Sequence, residues 1–322
     1  MITQILCYYF DYQFAYRDSI FRLEAARRFF DATNPGIFSQ IGTVWLPVPN
    51  FILMPFAAID YLWQTGLAGS IVNFFAFLIS SVVLFSLLKI STQNILSSWF
   101  GYLIFVTNFN ILYFQTTSMT ESMYICFLIL FVYYLFKWSV LEKTKYIFYS
   151  SIFSALAAGT RYDAWPIILT ASLLVILISL WKKINFIKPF IIYSILPFIF
   201  IIAWFVYNYI VYGDALEFSR GQFSTLHQLK YYEDAGRLLT KNNFFLSMKV
   251  ALSAYILYSG LLYFILALTG FIIYFWKNKF DFKSFIPYLF VISLPVIVFC
   301  ILKIVDSVPP DIDNFRVPLY YC

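Results

Sequence analysis

The chain has 322 residues, of which 62% are hydrophobic and only 12% are charged. Because soluble domains carry about 25% charged residues, this composition excludes an ordinary soluble enzyme and indicates a chain that lies in lipid. The net charge of +6 is typical of a membrane protein oriented by lysines, and we expect no nucleic acid among its partners.

Apolar runs follow one another along most of the chain. A helix needs about 20 apolar residues to cross a bilayer, and we predict an all-α polytopic membrane protein with about 8–9 transmembrane helices. The candidate spans are 66–90, 97–116, 121–138, 145–160, 164–181, 188–212, 246–276 and 284–306. A span should precede the first outer loop, and residues 1–16 are too short to cross comfortably. We therefore expect residues 1–322 to form a single transmembrane domain that lacks part of both ends of a longer protein.

The charged residues sort into two sets of loops when these spans alternate across a membrane. All eight arginines and fourteen of the sixteen acidic residues fall on one side, whereas ten of the fourteen lysines fall on the other. Short lysine-rich loops mark the cytoplasmic side, so the arginine side is extracytoplasmic or lumenal. It contains a large first outer loop with interfacial helices, 17–65, and a second large outer loop, 213–245. We expect an integral protein of a prokaryotic plasma membrane or of the ER membrane, with its functional groups outside the cytoplasm.

The first outer loop begins with a run of good helix formers from Asp18 to Phe30. Asp18 and Arg22 are four residues apart and therefore share one face of this helix. On one interpretation, Asp18 caps the helix and Arg22 supports it. On the other, Asp18 is a general base at the boundary between water and lipid, kept ionised by the neighbouring arginine. Further along, Trp45-Leu46-Pro47 predicts a helix that lies in the interface, or a bent entry into the membrane, rather than a span.

Two shorter outer connections carry further charges. Glu121 begins an apolar helix, where a carboxylate either favours the positive helix end or belongs to a functional site. Arg161-Tyr162-Asp163 forms a tight link between two spans. Arg161 and Asp163 either neutralise each other or leave the arginine to bind a phosphate, whose oxygens match its planar fork. Tyr162 is an interfacial anchor on the simpler interpretation.

The remaining candidates lie in the second large loop and in the C-terminal tail. His227 is the only histidine of the chain, and one histidine with scattered acids is weak evidence for a metal site. In the tail, Asp311 and Asp313 form a pair that can bind a divalent cation, and Arg316 is a second candidate phosphate contact. We assign no metal ligands and leave a divalent metal ion open as a cofactor.

Taken in order, the outer-loop pieces resemble the GT-C membrane glycosyltransferases, in the branch that contains dolichyl-phosphate-mannose protein mannosyltransferases and the lipid A aminoarabinose transferase. Each piece is short, and their order and sidedness carry the likeness over most of the chain. The family's complete first span and a C-terminal soluble domain are not found in these 322 residues. The matching pieces are Arg17-Asp18-Ser19, Arg22 to Arg27, Trp45-Leu46-Pro47, Met119-Thr120-Glu121, Gly159 to Trp165 and Asn314-Phe315-Arg316.

The resemblance implies the transfer of a sugar from a polyprenyl-phosphate donor to a protein, lipid or glycan acceptor, with inversion at the anomeric carbon. By this likeness Asp18 is the catalytic base, and Glu121 assists it or positions the acceptor. Arg161 and Arg316 are expected to bind the donor phosphate. The supporting residues are Arg22, Tyr162, Asp163 and His227.

Two other interpretations stay open. A polyprenyl-lipid flippase or transporter would carry charges along a path through the spans, whereas the apolar runs here contain almost no charge beyond Lys249. A ligase or polymerase for surface polysaccharide also uses polyprenyl-linked sugars. It would place its essential residues in the loop 213–245.

Overall fold

A computed structural model describes residues 2–30, 38–42, 44–234, 236 and 243–278. All regular secondary structure within these ranges is helical, as the sequence predicts. The α-helices are α1 (Ile2–Tyr9), α2 (Arg17–Arg27), α3 (Val48–Ala57), α4 (Asp60–Gln64), α5 (Leu67–Thr92), α6 (Ile95–Val106), α7 (Phe109–Phe114), α8 (Glu121–Leu141), α9 (Thr144–Ala158), α10 (Ala164–Trp181), α11 (Ile187–Tyr212), α12 (Glu217–Arg220), α13 (Thr225–Asp234), α14 (Phe244–Ser259) and α15 (Leu261–Asn278). Short 3-10 turns cover Tyr12–Phe14, Arg28–Phe30 and Phe38–Gln40.

Four of these helices, α5, α8, α10 and α11, are long and apolar enough to cross a membrane. Their outer faces carry large apolar side chains at helical spacing. On α11, for example, Ile191, Ile195, Ile199 and Ile202 are each about half exposed. A soluble protein would bury such a stripe, whereas lipid solvates it. The described fold is thus all-helical with four candidate spans, and the predicted total of about 8–9 spans and the predicted span 284–306 stay predictions.

Two runs predicted as single spans are divided, which corrects the sequence prediction. The run 97–116 contains most of α6 and all of α7, because the Asn108 side chain accepts hydrogen bonds from two backbone amides and starts a new helix. The run 246–276 is divided between α14 and α15 at Gly260, whose φ of 82° is a left-handed conformation that glycine adopts readily. The run 145–160 is helical as predicted, but α9 is only 15 residues long.

Helix α8 lies at the centre of the bundle, with α5 and α9 packed against it. Helix α9 packs in turn on α11, and α11 packs on α10. Because lipid tails are as apolar as these side chains, close packing and interhelical hydrogen bonds, rather than removal from water, hold the helices together. The core between α8, α9, α10 and α11 contains Phe131, Leu135, Trp138, Ile147, Leu174, Ile178 and Tyr193.

The bundle has two ends that differ in charge. Helix α8 begins at one end, where Arg161 pairs with Glu121, and we name this the arginine end. Helix α8 finishes at the opposite end, where Lys182 pairs with Glu142, and we name this the lysine end. The assignment of the lysine end to the cytoplasm stays a prediction from the loop charges.

Candidate functional site

Helix α2 lies against the turn that precedes α8, at the arginine end. The hydroxyl oxygens of Ser19 and Ser118 are 2.6 Å apart, and the Ser118 amide donates to the Ser19 hydroxyl at 3.1 Å. Gly69 of α5 allows this close approach, because a side chain there would collide with the Ser118 backbone. Asn73 of α5 donates to two carbonyls of the same turn at 2.7 Å each. The turn is therefore fixed between α2 and α5 immediately before Glu121.

The link between α9 and α10 lies at the same end. The Val48 amide donates to the Gly159 carbonyl at 3.0 Å, which joins the start of α3 to this link. The Tyr162 hydroxyl donates to the Val44 carbonyl at 2.8 Å and accepts a hydrogen bond from Trp204 Nε1 at 3.1 Å. Burial raises the pKa of the Tyr162 phenol, so that it is neutral at physiological pH. Tyr162 is thus a half-buried side chain that ties this link to the backbone of residue 44 and to α11. Its role as an interfacial anchor stays a prediction.

Arg161 forms two ion pairs in this link. Its Nη1 lies 2.7 Å from Glu121 Oε1, and its Nε lies 3.0 Å from Asp163 Oδ2. The pair with Asp163 is local, whereas the pair with Glu121 joins residues that are 40 positions apart in the chain. Glu121 therefore orients Arg161 and fixes the link to the first turn of α8.

Arg22 is a second cation close to this group. Its Cζ lies 4.2 Å from the ring centre of Trp45, which is a cation–π contact. The charge of Arg22 is attracted by Glu121 and repelled by Arg161. Within the described part of the chain, Arg22 Nη1 is buried without a hydrogen-bond partner, and Glu121 Oε2 is in the same condition. A buried N–H group of a charged side chain without a partner is costly, and a bound anion would satisfy it.

The two arginines differ in their electrostatics. Burial is the main cause that lowers the pKa of Arg22 to about 10, and the positive charge of Arg161 acts in the same direction. For Arg161, burial also acts to lower the pKa, but Glu121 and Asp163 outweigh it and raise the pKa above its ordinary value. Both guanidinium groups are charged at neutral pH, and Arg22 is the one whose charge is poorly compensated.

Asp18 lies in the first turn of α2 and is exposed. The N-cap of α2 is Tyr16 and no side chain caps this end, so the interpretation of Asp18 as the helix cap is wrong. Among the described residues, Asp18 forms no ion pair with Arg22, although its charge raises the Arg22 pKa slightly against the effect of burial. The interpretation of Arg22 as a local support of Asp18 is therefore also incomplete, since Arg22 turns towards Trp45. Among the described residues, Asp18 is thus an exposed carboxylate without an ion pair, and its charge acts on Arg22.

Of the other predicted site residues, His227 alone belongs to the part of the chain that the structure describes. It is an exposed residue of α13, and it is not among the charged partners of Arg22 or Arg161 there. Arg316, Asp311 and Asp313 lie outside the described residues. Within the described ranges, no group of three or more histidine, cysteine, aspartate or glutamate side chains is arranged to hold a metal ion.

Sequence reasoning missed the segment that carries Trp45, residues 38–42 and 44–46, which we name the tyrosine-held segment. The Tyr207 hydroxyl lies 3.1 Å from the carbonyl oxygens of both Phe38 and Gly42, and the Tyr212 hydroxyl donates to Gly42 at 3.0 Å. The hydrogen bond from the Tyr162 hydroxyl to the Val44 carbonyl is the third tyrosine contact to the backbone of this segment. These partners are up to 170 positions apart in the chain, so no local sequence pattern indicates them.

The arrangement at the arginine end is suited to an anion. Arg161 is paired with Glu121 and Asp163, and Asp18 on α2 is an exposed carboxylate, so Arg22 is the guanidinium group that is left to attract an anion. Comparison of the chain with known protein families, with characterised proteins and with solved structures finds no match. Any inference about the function of this chain must therefore rest on the chemistry of these residues.

Proposed function

We propose that this chain is an integral-membrane glycosyltransferase that moves a sugar from a polyprenyl-phosphate donor to an acceptor at the arginine end, outside the cytoplasm. One observation carries the proposal. Arg161 pairs with Glu121 at a helix boundary, the charge of Arg22 interacts with both, and Arg22 has a buried N–H group without a hydrogen-bond partner among the described residues. A lipid-linked phosphate is the ligand class that would place an anion between the two arginines while its chain stays in the membrane.

The two arginines are proposed to stabilise the leaving group. In the proposed reaction the bond between the anomeric carbon and the phosphate oxygen breaks, and its electron pair stays on the phosphate. Arg22 and Arg161 would stabilise this negative charge as it forms, and fixed donors do so without reorganisation at the moment of reaction. Glu121 and Asp163 hold Arg161 in position, so they act through the arginine. Arg316 is proposed as a further phosphate contact on the basis of the resemblance alone.

Asp18 is proposed to activate the acceptor hydroxyl. Its carboxylate is exposed and is not engaged in an ion pair with any described residue, so it is free to accept a proton. In the proposed reaction the acceptor hydroxyl attacks the anomeric carbon from the face opposite the phosphate while Asp18 takes its proton. A single displacement of this kind inverts the anomeric centre. Because Glu121 is already bound to Arg161, it is better suited to positioning than to proton transfer.

The alternatives of a flippase, or of a polysaccharide ligase or polymerase, receive less support from the described contacts. A flippase would need charged contacts along the middle of its spans. The four ion pairs of the described residues lie at the helix ends and in the links. A ligase or polymerase would depend on the loop 213–245, whose His227 is exposed and separate from the two arginines.

The test uses membranes that contain the protein and a polyprenyl-phosphate sugar labelled in the sugar. We expect label to leave the lipid with wild-type protein and to stay on it with Asp18→Asn, which removes the base but keeps the shape of the side chain. Arg28→Gln is the matched control, because Arg28 is an exposed residue just after α2 and forms no ion pair with a described residue. It should transfer label at the wild-type rate.

The outcomes separate the candidate functions. Transfer by Asp18→Asn at the wild-type rate would remove this residue from the mechanism. Label that stays on intact lipid but changes leaflet would identify a flippase instead. Loss of transfer in Arg22→Gln together with normal transfer in Asp18→Asn would retain the phosphate site and require another base.

A further inference from the structure

A cavity of about 240 Å³ lies at the lysine end of the bundle, far from the arginines. It is a partly open cavity, lined by the end of α8, the start of α9, the start of α11 and the link that precedes α11. The lining is mixed: Trp138 and Ile192 are apolar, whereas Thr144, Asn185 and Lys188 are polar or charged. Nothing in the proposed sugar transfer uses this cavity.

The charge of the cavity is positive. Glu142 also lines it, but Lys182 Nζ lies 2.6 Å from Glu142 Oε1 and neutralises that carboxylate. Glu142 is the only carboxylate at this end among the described residues. Lys188 forms no ion pair with any described residue, so its charge is uncompensated. The cavity is thus suited to an anion.

The surroundings of the cavity are suited to a lipid. Lys188 lies in the first turn of α11, and Ile187 and Ile191 beside it are each about half exposed on the outer face of that candidate span. The volume is smaller than the roughly 300–1,000 Å³ of sites that enclose a drug-sized molecule. A head group therefore fits inside, whereas acyl chains would lie outside along the exposed isoleucines. Basic pockets between spans are known to bind anionic head groups.

We infer that this cavity binds the phosphate head group of an anionic membrane lipid. Lys188 supplies the charge, and the Thr144 hydroxyl and the Asn185 amide supply hydrogen-bond donors. The acyl chains lie along α11. The inference concerns the end of the bundle opposite the proposed active site and does not depend on sugar transfer.

The test measures lipid retention by native mass spectrometry. Wild-type protein is extracted in mild detergent and mixed with equal amounts of phosphatidylglycerol and phosphatidylcholine. We expect at least fivefold more phosphatidylglycerol to stay bound, and we expect Lys188→Gln to lose this preference. Lys188→Arg keeps the charge and should restore it. Lys89→Gln is the matched control, since Lys89 is an exposed lysine in the last turn of α5 that does not line the cavity.

Three results would overturn the inference. The first is an unchanged lipid preference in Lys188→Gln. The second is an equal loss of preference in Lys89→Gln, which would indicate a general attraction to lysines and no site. The third is protection of the protein against heat by inorganic phosphate as effective as that by phosphatidylglycerol, which would identify a free-anion site. Because none of these measurements uses activity, their failure is distinct from failure of the proposed function.

Discussion

Gly69→Ala should destabilise the protein at the point where α5, α2 and the turn before α8 meet. An alanine Cβ at this position would lie 2.7 Å from the Ser118 amide nitrogen and closer still to the Ser118 Cα and Cβ, whereas real Cβ contacts stay beyond 3.0 Å. The neighbour is backbone, and Ser118 is itself held by hydrogen bonds to Ser19. A shift of the turn away from Gly69 would therefore strain or break these bonds.

The expected cost has two parts. Forcing an extra methyl group into a packed site costs about 1–3 kcal/mol, and each hydrogen bond lost between Ser19 and Ser118 adds about 1 kcal/mol. We therefore expect Gly69→Ala to lower the free energy of unfolding by about 2–4 kcal/mol. The displaced turn also leads directly into Glu121, so donor binding should weaken together with stability.

The assay is thermal unfolding of the purified protein in one detergent, followed by tryptophan fluorescence. Gly270→Ala is the matched control, because Gly270 is also a helical glycine but has no atom within 4 Å of the position that a Cβ would take. It should keep or raise the melting temperature, since alanine is favoured over glycine in a helix by about 1 kcal/mol. Equal melting temperatures for Gly69→Ala and wild type would refute the close contact between α5 and the turn.

Three further predictions concern the arginine end. Glu121→Ala should lower the free energy of unfolding by about 1–3 kcal/mol, and Asp163→Ala should lower it by less than about 1 kcal/mol. The difference is expected because the Glu121 side chain is 23% exposed, whereas the Asp163 side chain is 45% exposed. Equal melting temperatures of the two variants would contradict this ranking of the Arg161 partners. Tyr162→Phe should cost about 1–2 kcal/mol through lost hydrogen bonds, measured in the same assay, and a wild-type melting temperature would argue against those bonds. Folding lowers the pKa of Arg22 to about 10, so the destabilising cost of its buried charge is present at neutral pH and is relieved as pH rises above that value. If Arg22 binds the donor phosphate as proposed, the loss of its charge should weaken donor binding over the same pH range. The donor affinity of the wild type, measured by titration calorimetry, should stay constant from about pH 7 to pH 9 and weaken above about pH 10. The affinity of Arg22→Gln should not depend on pH in this range. A pH-independent affinity of the wild type would exclude a contact between Arg22 and the donor.

The candidate spans could be predicted from the sequence because an apolar run of sufficient length has few alternatives to a helix in lipid. Helices α5, α8, α10 and α11 follow the predicted runs within a few residues. The division of the run 97–116 was not predicted, because a single asparagine side chain decides it by capping a new helix. Length and hydropathy contain no information about such a hydrogen bond.

The sequence indicated which charged residues lie in the outer loops, but it did not indicate which of them contact one another. The position of Arg161 at a span boundary indicated a functional cation, and its pairing with Asp163 follows from their adjacency. Its closer partner, Glu121, comes from another helix, and that contact depends on how α8 and α9 pack. The contact of Arg22 with Trp45 likewise depends on a segment held by residues far along the chain.

The tyrosine-held segment has a consequence for how this protein tolerates substitution. The hydroxyl groups of Tyr162, Tyr207 and Tyr212 bond to main-chain oxygens, which every amino acid possesses. The anchorage of the segment therefore does not depend on which side chains it carries, but two of its positions are restricted by packing. Leu46 is buried against Trp204 and Tyr207, and a side chain at Gly42 would meet the Trp204 ring at 3.1 Å and the backbone of the same segment. A designer who wishes to vary the surface beside Arg22 has this segment as a place where shape is specified elsewhere in the chain.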